Sequence, residues 1–257
     1  MLDRISMLFA RLLIGTALLA PFSAQAQTES LYRVELLVFS YPGGSTAEQW
    51  DATPDLAYPE STRALTSSTP LDPLHPTPLG TLPPAQRELD GKAAEMQRSG
   101  RYRILFHEAW IQPMMGQSAA QPIALDRSGD GGQWPALQGT IKLYMSSDIN
   151  LDTNLWINTQ GEYLHSSWRM PAPPIGPSSG VSLPAVTDTK DRTYPYQHAV
   201  LLKQTSRIRS GAVNYVDHPM LGVIVKVMPL SGADPVAPTQ PETTTEPKPG
   251  LKTNPPT

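Results

Sequence analysis

From residue 31 to 40 the chain alternates apolar and polar positions. Tyr32, Val34, Leu36 and Val38 share one face, and Leu37 and Phe39 then make the other face apolar as well. A period of two marks a strand, and apolar residues on both faces mark one that is buried on each side toward its end. The period changes over 85–99, where Ala85, Leu89, Ala93 and Met96 recur at helical spacing. Pro83 and Pro84 suit the first turn of that helix and Gly100 suits the position just past its end. Gly91, inside it, weakens it by about 1 kcal/mol relative to alanine. Residues 101–111 return to strand, with Tyr102, Ile104 and Phe106 on one face and Leu105, Ala109 and Ile111 on the other.

Beyond a Gly-rich turn at 126–134, residues 138–157 hold two strands. One runs through Ile141, Leu143 and Met145, and the other ends in Leu155-Trp156-Ile157. Residues 163–170 continue as a further strand. The last block reads as a strand over 199–208, a turn at Ser210-Gly211, a short strand over 212–215 and a closing strand over 221–228. One helix among many strands predicts an α+β domain built on a mostly antiparallel sheet. Strand, helix, strand at the start suggests a ferredoxin-like opening.

Proline sets the boundaries. The chain has 28 among 257 residues, about twice the usual share of roughly 5%, and they gather in 41–84, in 171–184 and after 228. Each removes a backbone donor and fixes φ. Residues 41–84 therefore read as a long surface insert with Pro-rich loops, laid on the core through Trp50, Leu56 and Tyr58. Residues 231–257 are Pro/Thr-rich with almost no large apolar side chains, which predicts a disordered tail. A single domain over 27–230 remains.

The first 26 residues have the layout of a secretory signal peptide. Arg4 and Arg11 make the basic end, the apolar run 12–20 follows, and Ala24-Gln25-Ala26 forms a small-residue exit. That run is shorter than the about 20 residues a bilayer requires, so the expectation is cleavage near Ala26, export, and no membrane span. The chain has no Cys, which removes thiol nucleophiles and disulfides. A formal net charge of -3 gives no support to nucleic-acid binding, which favours a basic excess.

Motifs for catalysis are weak. Gly176-Pro177-Ser178-Ser179-Gly180 matches the nucleophile elbow of serine hydrolases, but Pro171, Pro173, Pro174 and Pro177 oppose the strand an elbow needs. Asp126-Arg127-Ser128-Gly129-Asp130-Gly131 resembles the first half of a calcium loop, yet Leu137 stands where the closing acid belongs. The five histidines, His75, His107, His165, His198 and His218, have no zinc-ligand spacing. His107 reads as a hydrogen-bonded, half-buried ring. No phosphate-cradling or dinucleotide Gly loop occurs. The expectation is no catalytic residue, no metal and no cofactor.

The densest polar stretch is 205–219. If Ile208 faces the core, Arg207 and Arg209 project together from the opposite face and can fork onto a carboxylate. The alternative is an internal bridge from either arginine to Asp217 across the hairpin. Asp217 and His218 add polar groups, and Trp110, Trp156, Trp168 and Tyr215 are rings able to hold a saccharide. Such rings equally serve as core.

Three segments carry a resemblance. They are Tyr32-Arg33-Val34-Glu35-Leu36-Leu37-Val38-Phe39; then 100–110 with Gln112-Pro113; and Ser206-Arg207-Ile208-Arg209-Ser210-Gly211 followed by Asn214-Tyr215-Val216-Asp217-His218-Pro219-Met220-Leu221-Gly222-Val223. Leu137-Gln138-Gly139 at the start of the middle strand is similar too. In order and spacing these resemble the periplasmic peptidoglycan-binding proteins of the CsiV type. The resemblance implies a non-enzymatic periplasmic protein that binds peptidoglycan and supports cell-wall assembly or integrity, with cell-wall synthesis or envelope proteins as further partners. Its ligand residues, read from chemistry, are Arg207, Arg209, Asp217, His218, Tyr215, Trp110 and Trp156. The alternatives are an envelope protein-protein adaptor and, more remotely, a wall hydrolase. The chain departs from the family after Leu143-Tyr144-Met145-Ser146, where Ser147-Asp148-Ile149-Asn150 replaces a basic, aromatic strand end.

Overall fold

A strand apolar on both faces needs a cover on each side, and the fold supplies two. The computed structural model describes residues 30–42, 50–66, 77–126, 133–161, 168–177 and 193–230. Among them the chain forms β1 (Leu31–Ser40), β2 (Arg63–Ala64), α1 (Asp90–Arg98), β3 (Arg103–Pro113), β4 (Ile123–Ala124), β5 (Leu137–Met145), β6 (Ile149–Thr159), β7 (His198–Ile208), β8 (Val213–Val216) and β9 (Leu221–Pro229). The strands make two sheets, β3-β1-β9-β8 and β2-β4-β5-β6-β7. Only β2 with β4 is parallel. The predicted antiparallel α+β character is present, divided between two sheets that face each other.

Val34, Leu36 and Val38 of β1 meet Ile141, Leu143, Leu151 and Leu155 of the second sheet in the main core. On the other side Leu37 and Phe39 pack under Ala93 and Met96 of α1. The order from outside inward is thus helix, first sheet, second sheet. The ferredoxin-like opening does not form. β1 and β3 are hydrogen-bonded antiparallel neighbours, whereas a split βαβ unit keeps its two strands parallel and apart.

Two sequence-based readings, one of β3 and one of the helix, need correction. Val38 pairs with Phe106 and Phe39 with Ile104, so Leu105 is an extra residue, a β-bulge. Alternation reverses there. Leu105, Phe106 and Trp110 face the main core, while Tyr102 and Ile104 lie with the helix and Ala109 and Ile111 pack with Leu82. The helix, predicted over 85–99, starts only at Asp90, after a separate 3-10 turn at Pro84–Gln86 and an extended Arg87. Leu89, Ala93 and Met96 of the predicted stripe are buried, and Ala85 is exposed. Gly100 ends the segment at φ 67, as its position implied.

Nothing lies within 4 Å of the place where a Cβ on Gly91 would sit. Gly91→Ala should therefore raise the unfolding free energy by about 0.5–1 kcal/mol, read from the urea midpoint. A loss instead would show that the helix differs in solution.

The proline-rich insert does more than lie on the surface. Its anchors are as expected: Trp50 packs on the main core, and Leu56 and Tyr58 pack on the outer face of the second sheet with Trp156. Yet it also supplies β2 and the buried Leu65 and Leu82. Residues 78–82 run along the edge of β3, with Leu79 N–H on Ile111 O at 2.8 Å and Leu82 N–H on Ala109 O at 2.7 Å. That edge is thereby closed to stray pairing. Of the strand predicted over 163–170, residues 163–167 lie outside the described residues and 168–170 are not strand. The segments expected to be a leader, 1–26, and a disordered tail, 231–257, also lie outside them.

Candidate functional site

The seven residues singled out in the sequence do not form one site. Trp110 and Trp156 are both 0% exposed. Trp110 points between the sheets and donates its indole N–H to Gln112 Oε1 at 2.8 Å. Trp156 points outward but lies under the Tyr58 ring, 5.0 Å away, and donates to Gln138 Oε1 at 3.3 Å. Both rings are core, and neither presents a surface to a saccharide.

The remaining five separate because the chain changes sheet between β7 and β8. Tyr215 and Asp217 belong to the outer face of the first sheet. Tyr215 is 52% exposed, and its hydroxyl donates to Asp217 Oδ1 at 2.7 Å and meets Tyr41 Oη at 2.7 Å. Partial burial, and then the bonds to Tyr41 and Asp217, push its phenol well above the ordinary value of 10.0. The His218 ring lies tilted against Trp50, centroids 5.0 Å apart, and accepts the Met220 N–H on Nδ1 at 3.2 Å. Gly222 gives way to the Phe39 ring, whose Cζ would stand 2.3 Å from an added Cβ. The Asp-His-Pro-Met-Leu-Gly stretch thus shapes the turn into β9.

Arg207 and Arg209 do come together. With Tyr32, Ser147, Asp148 and Asn214 they line an open pocket of about 570 Å³ at one end of the sandwich. The bridge to Asp217 does not form. Arg207 pairs instead with Asp148, at 2.5 Å, its side chain still 71% exposed. Arg209 has no carboxylate partner among the described residues. Its backbone is clamped by Asn214, which accepts the Arg209 N–H at 2.8 Å and donates to its carbonyl at 3.0 Å.

Sequence reasoning missed a second concavity, a groove of about 540 Å³ on the outer face of the second sheet. Its floor follows from register: Lys142, Asp152 and Thr205 are cross-strand neighbours, as are Thr140, Asn154 and Lys203. Asp152 accepts Thr205 Oγ1 at 2.7 Å and sits 3.6 Å from Lys142 Nζ. Ala57, Tyr58, Pro59 and Pro122 form the wall. Asn154 Nδ2 donates to Ala57 O at 2.9 Å, and Tyr58 Oη donates to the Asp126 carboxylate at 2.9 Å. Burial, then the Asp126 charge, raise the Tyr58 phenol far above 10.0, so it stays a donor. His198 Nε2 bonds Asp51 O at 2.8 Å, and burial lowers its pKa, keeping the ring neutral. The signal was present as polar residues at every second position of 150–154 and 203–207.

The weaker motifs can be placed. No strand precedes Gly176, and 178–180 lie outside the described residues. Asp126 is tied to Tyr58 and to Gly139 N–H at 3.1 Å, while the rest of the calcium-like loop lies outside them, as do His75 and His165. His107 is half-buried between Glu35 Oε1 at 2.9 Å and Asp90 Oδ1 at 3.5 Å.

A family model described as peptidoglycan-binding protein, CsiV, matches residues 8–230. No curated protein and no solved structure matches the chain. The matched span takes in every strand and the helix, along with the arginine pocket and the groove. The chain belongs to the CsiV family of peptidoglycan-binding proteins.

Proposed function

We propose that this chain is a non-enzymatic periplasmic protein, exported by its leader, that binds peptidoglycan and supports cell-wall assembly or integrity. The observation that carries the binding site is the pairing of Arg207 and Arg209 on one open pocket. Peptidoglycan stem peptides carry carboxylates, and a guanidinium meets a carboxylate with two parallel hydrogen bonds. Arg209 stands exposed for this. Arg207 is held by Asp148, but an exposed ion pair contributes only about 0–1 kcal/mol, so a ligand carboxylate can displace it.

Co-sedimentation with purified sacculi tests the reading. A hydrogen bond to a charged group contributes about 1.5–3 kcal/mol, so the Arg207→Ala, Arg209→Ala double variant should bind at least about tenfold more weakly. Asp148→Asn, which frees Arg207, should bind about two- to fivefold more tightly. Unchanged binding in the double variant would remove the pocket from the account. Wild-type protein left in the supernatant would favour the adaptor, and fragments released from labelled sacculi would show an enzyme.

A further inference from the structure

The outer face of the second sheet is covered for only half its length. Around Trp156 it is covered by Leu56, Tyr58 and Met170. From Asn154 and its partner Lys203 onward the same face carries Asp152, Lys142 and Thr205, with no layer above them among the described residues, and becomes the floor of the 540 Å³ groove. A merely solvated face needs no wall. This one has a wall whose position is fixed by the Asn154–Ala57 bond and the Tyr58–Asp126 bond, so the groove is shaped before any ligand arrives.

Resting on the peptidoglycan reading above, we infer that this groove holds the glycan strand, an uncharged chain of acetamido sugars, while the arginine pocket takes the acidic stem peptides. Charge separates the two subsites. The groove's charged lining is two lysines and two aspartates, Lys142, Lys203, Asp55 and Asp152, and so is balanced. The pocket sets Arg207 and Arg209 against Asp148 alone and is positive. Chemistry agrees with charge. The floor offers ammonium and hydroxyl donors and a carboxylate acceptor to sugar hydroxyl and amide groups. Ala57, Pro59 and Pro122 offer an apolar wall to the C–H face of a pyranose ring. The two subsites also lie on one line. Lys203, Thr205 and Arg207 are successive outward positions of β7, spaced about 6.6–6.8 Å apart, so one polymer lying along the strand reaches both.

The test uses an uncharged peptide-free glycan, oligomers of N-acetylglucosamine, since amidase-stripped strands carry a free lactyl carboxylate on each muramic acid, beside intact sacculi, with the chain from residue 27 onward. Wild-type protein should bind both. The Lys203→Ala, Thr205→Ala double variant should bind the bare glycan at least tenfold more weakly with its thermal midpoint unchanged. Ala57→Trp, which fills the groove and removes no polar group, should do the same. Binding of intact sacculi without any binding of bare glycan would overturn this inference and leave the proposed function standing. Failure to bind either would overturn both. Bare glycan bound equally well by wild type and both variants would place its site elsewhere and overturn the inference too.

Discussion

Glu35→Ala should cost about 3–5 kcal/mol of unfolding free energy, a large part of the about 5–15 kcal/mol that holds a domain together. Glu35 is 1% exposed, on the outer face of β1. Its carboxylate accepts the N–H groups of Glu88 at 2.7 Å and Leu89 at 2.8 Å, and meets His107 Nε2 at 2.9 Å. Two amides at the start of α1 therefore have their acceptor on another element, where the positive end of the helix favours an anion. Alanine leaves those amides and the imidazole buried without that acceptor, and the helix loses its tie to the sheet. The same group gives a pH dependence. Burial alone would raise the Glu35 pKa, but the bonds from His107, Glu88 and Leu89 outweigh it and hold it below the ordinary 4.5. A depressed carboxyl contributes stability that is complete above the ordinary value and is lost as pH falls through the folded one. Glu88 adds a share of the same sign, because Lys226, then Arg33, lower its pKa too. Guanidinium unfolding at pH 7 and pH 3 should show wild type losing stability on acidification and Glu35→Gln losing less. An alanine variant within about 1 kcal/mol of wild type would contradict the role given to this carboxylate.

That capping shows where the sequence stops being legible. The apolar stripe at Leu89, Ala93 and Met96 is readable, because helical periodicity is local. The start at Asp90 is not, because the acid that fixes it lies 54 positions before Leu89, the residue whose N–H it accepts. β1 is readable as doubly buried, since alternation reports which faces are covered. It does not report by what, so a second sheet and a helix were not distinguishable from a single layer. The bulge at Leu105 adds one residue and reverses the faces beyond it without altering composition, which is why strict alternation puts Phe106 on the side of Tyr102 and Ile104 rather than in the main core. At the candidate site, the spacing of Arg207 and Arg209 suffices to bring them to one pocket. The change of sheet between β7 and β8 sends Tyr215 and Asp217 to a different surface, and no local pattern announces it. Trp110 and Trp156 were undecidable from sequence because a large ring serves a core as well as a ligand.

The second large effect is expected at Gly139, the last residue of the Leu137-Gln138-Gly139 run that resembles the family. All three are structural. Leu137 is core, and Gln138 accepts Trp156 Nε1 and Asn158 Nδ2, at 3.3 and 2.8 Å. Gly139 sits at φ 109, where a Cβ would stand 2.2 Å from Asn154 O and 2.9 Å from Leu155 Cα. Both are backbone atoms of β6 and cannot swing aside, so Gly139→Ala must push β5 away from β6 or twist out of its own conformation. Strain and overpacking of about 1–3 kcal/mol each put the loss at about 2–6 kcal/mol. The damage extends beyond stability, because the Gly139 N–H lies 3.1 Å from Asp126 Oδ1 and 3.2 Å from Tyr58 Oη, the pair that fixes the groove wall. Tyr58→Phe removes only the hydroxyl and should cost less, about 1–2 kcal/mol. Chemical unfolding ranks the two, and a Gly139→Ala variant as stable as Tyr58→Phe would mean that β5 and β6 separate without strain. Because both changes loosen the same wall, both should weaken binding of peptide-free glycan at temperatures where each variant remains folded.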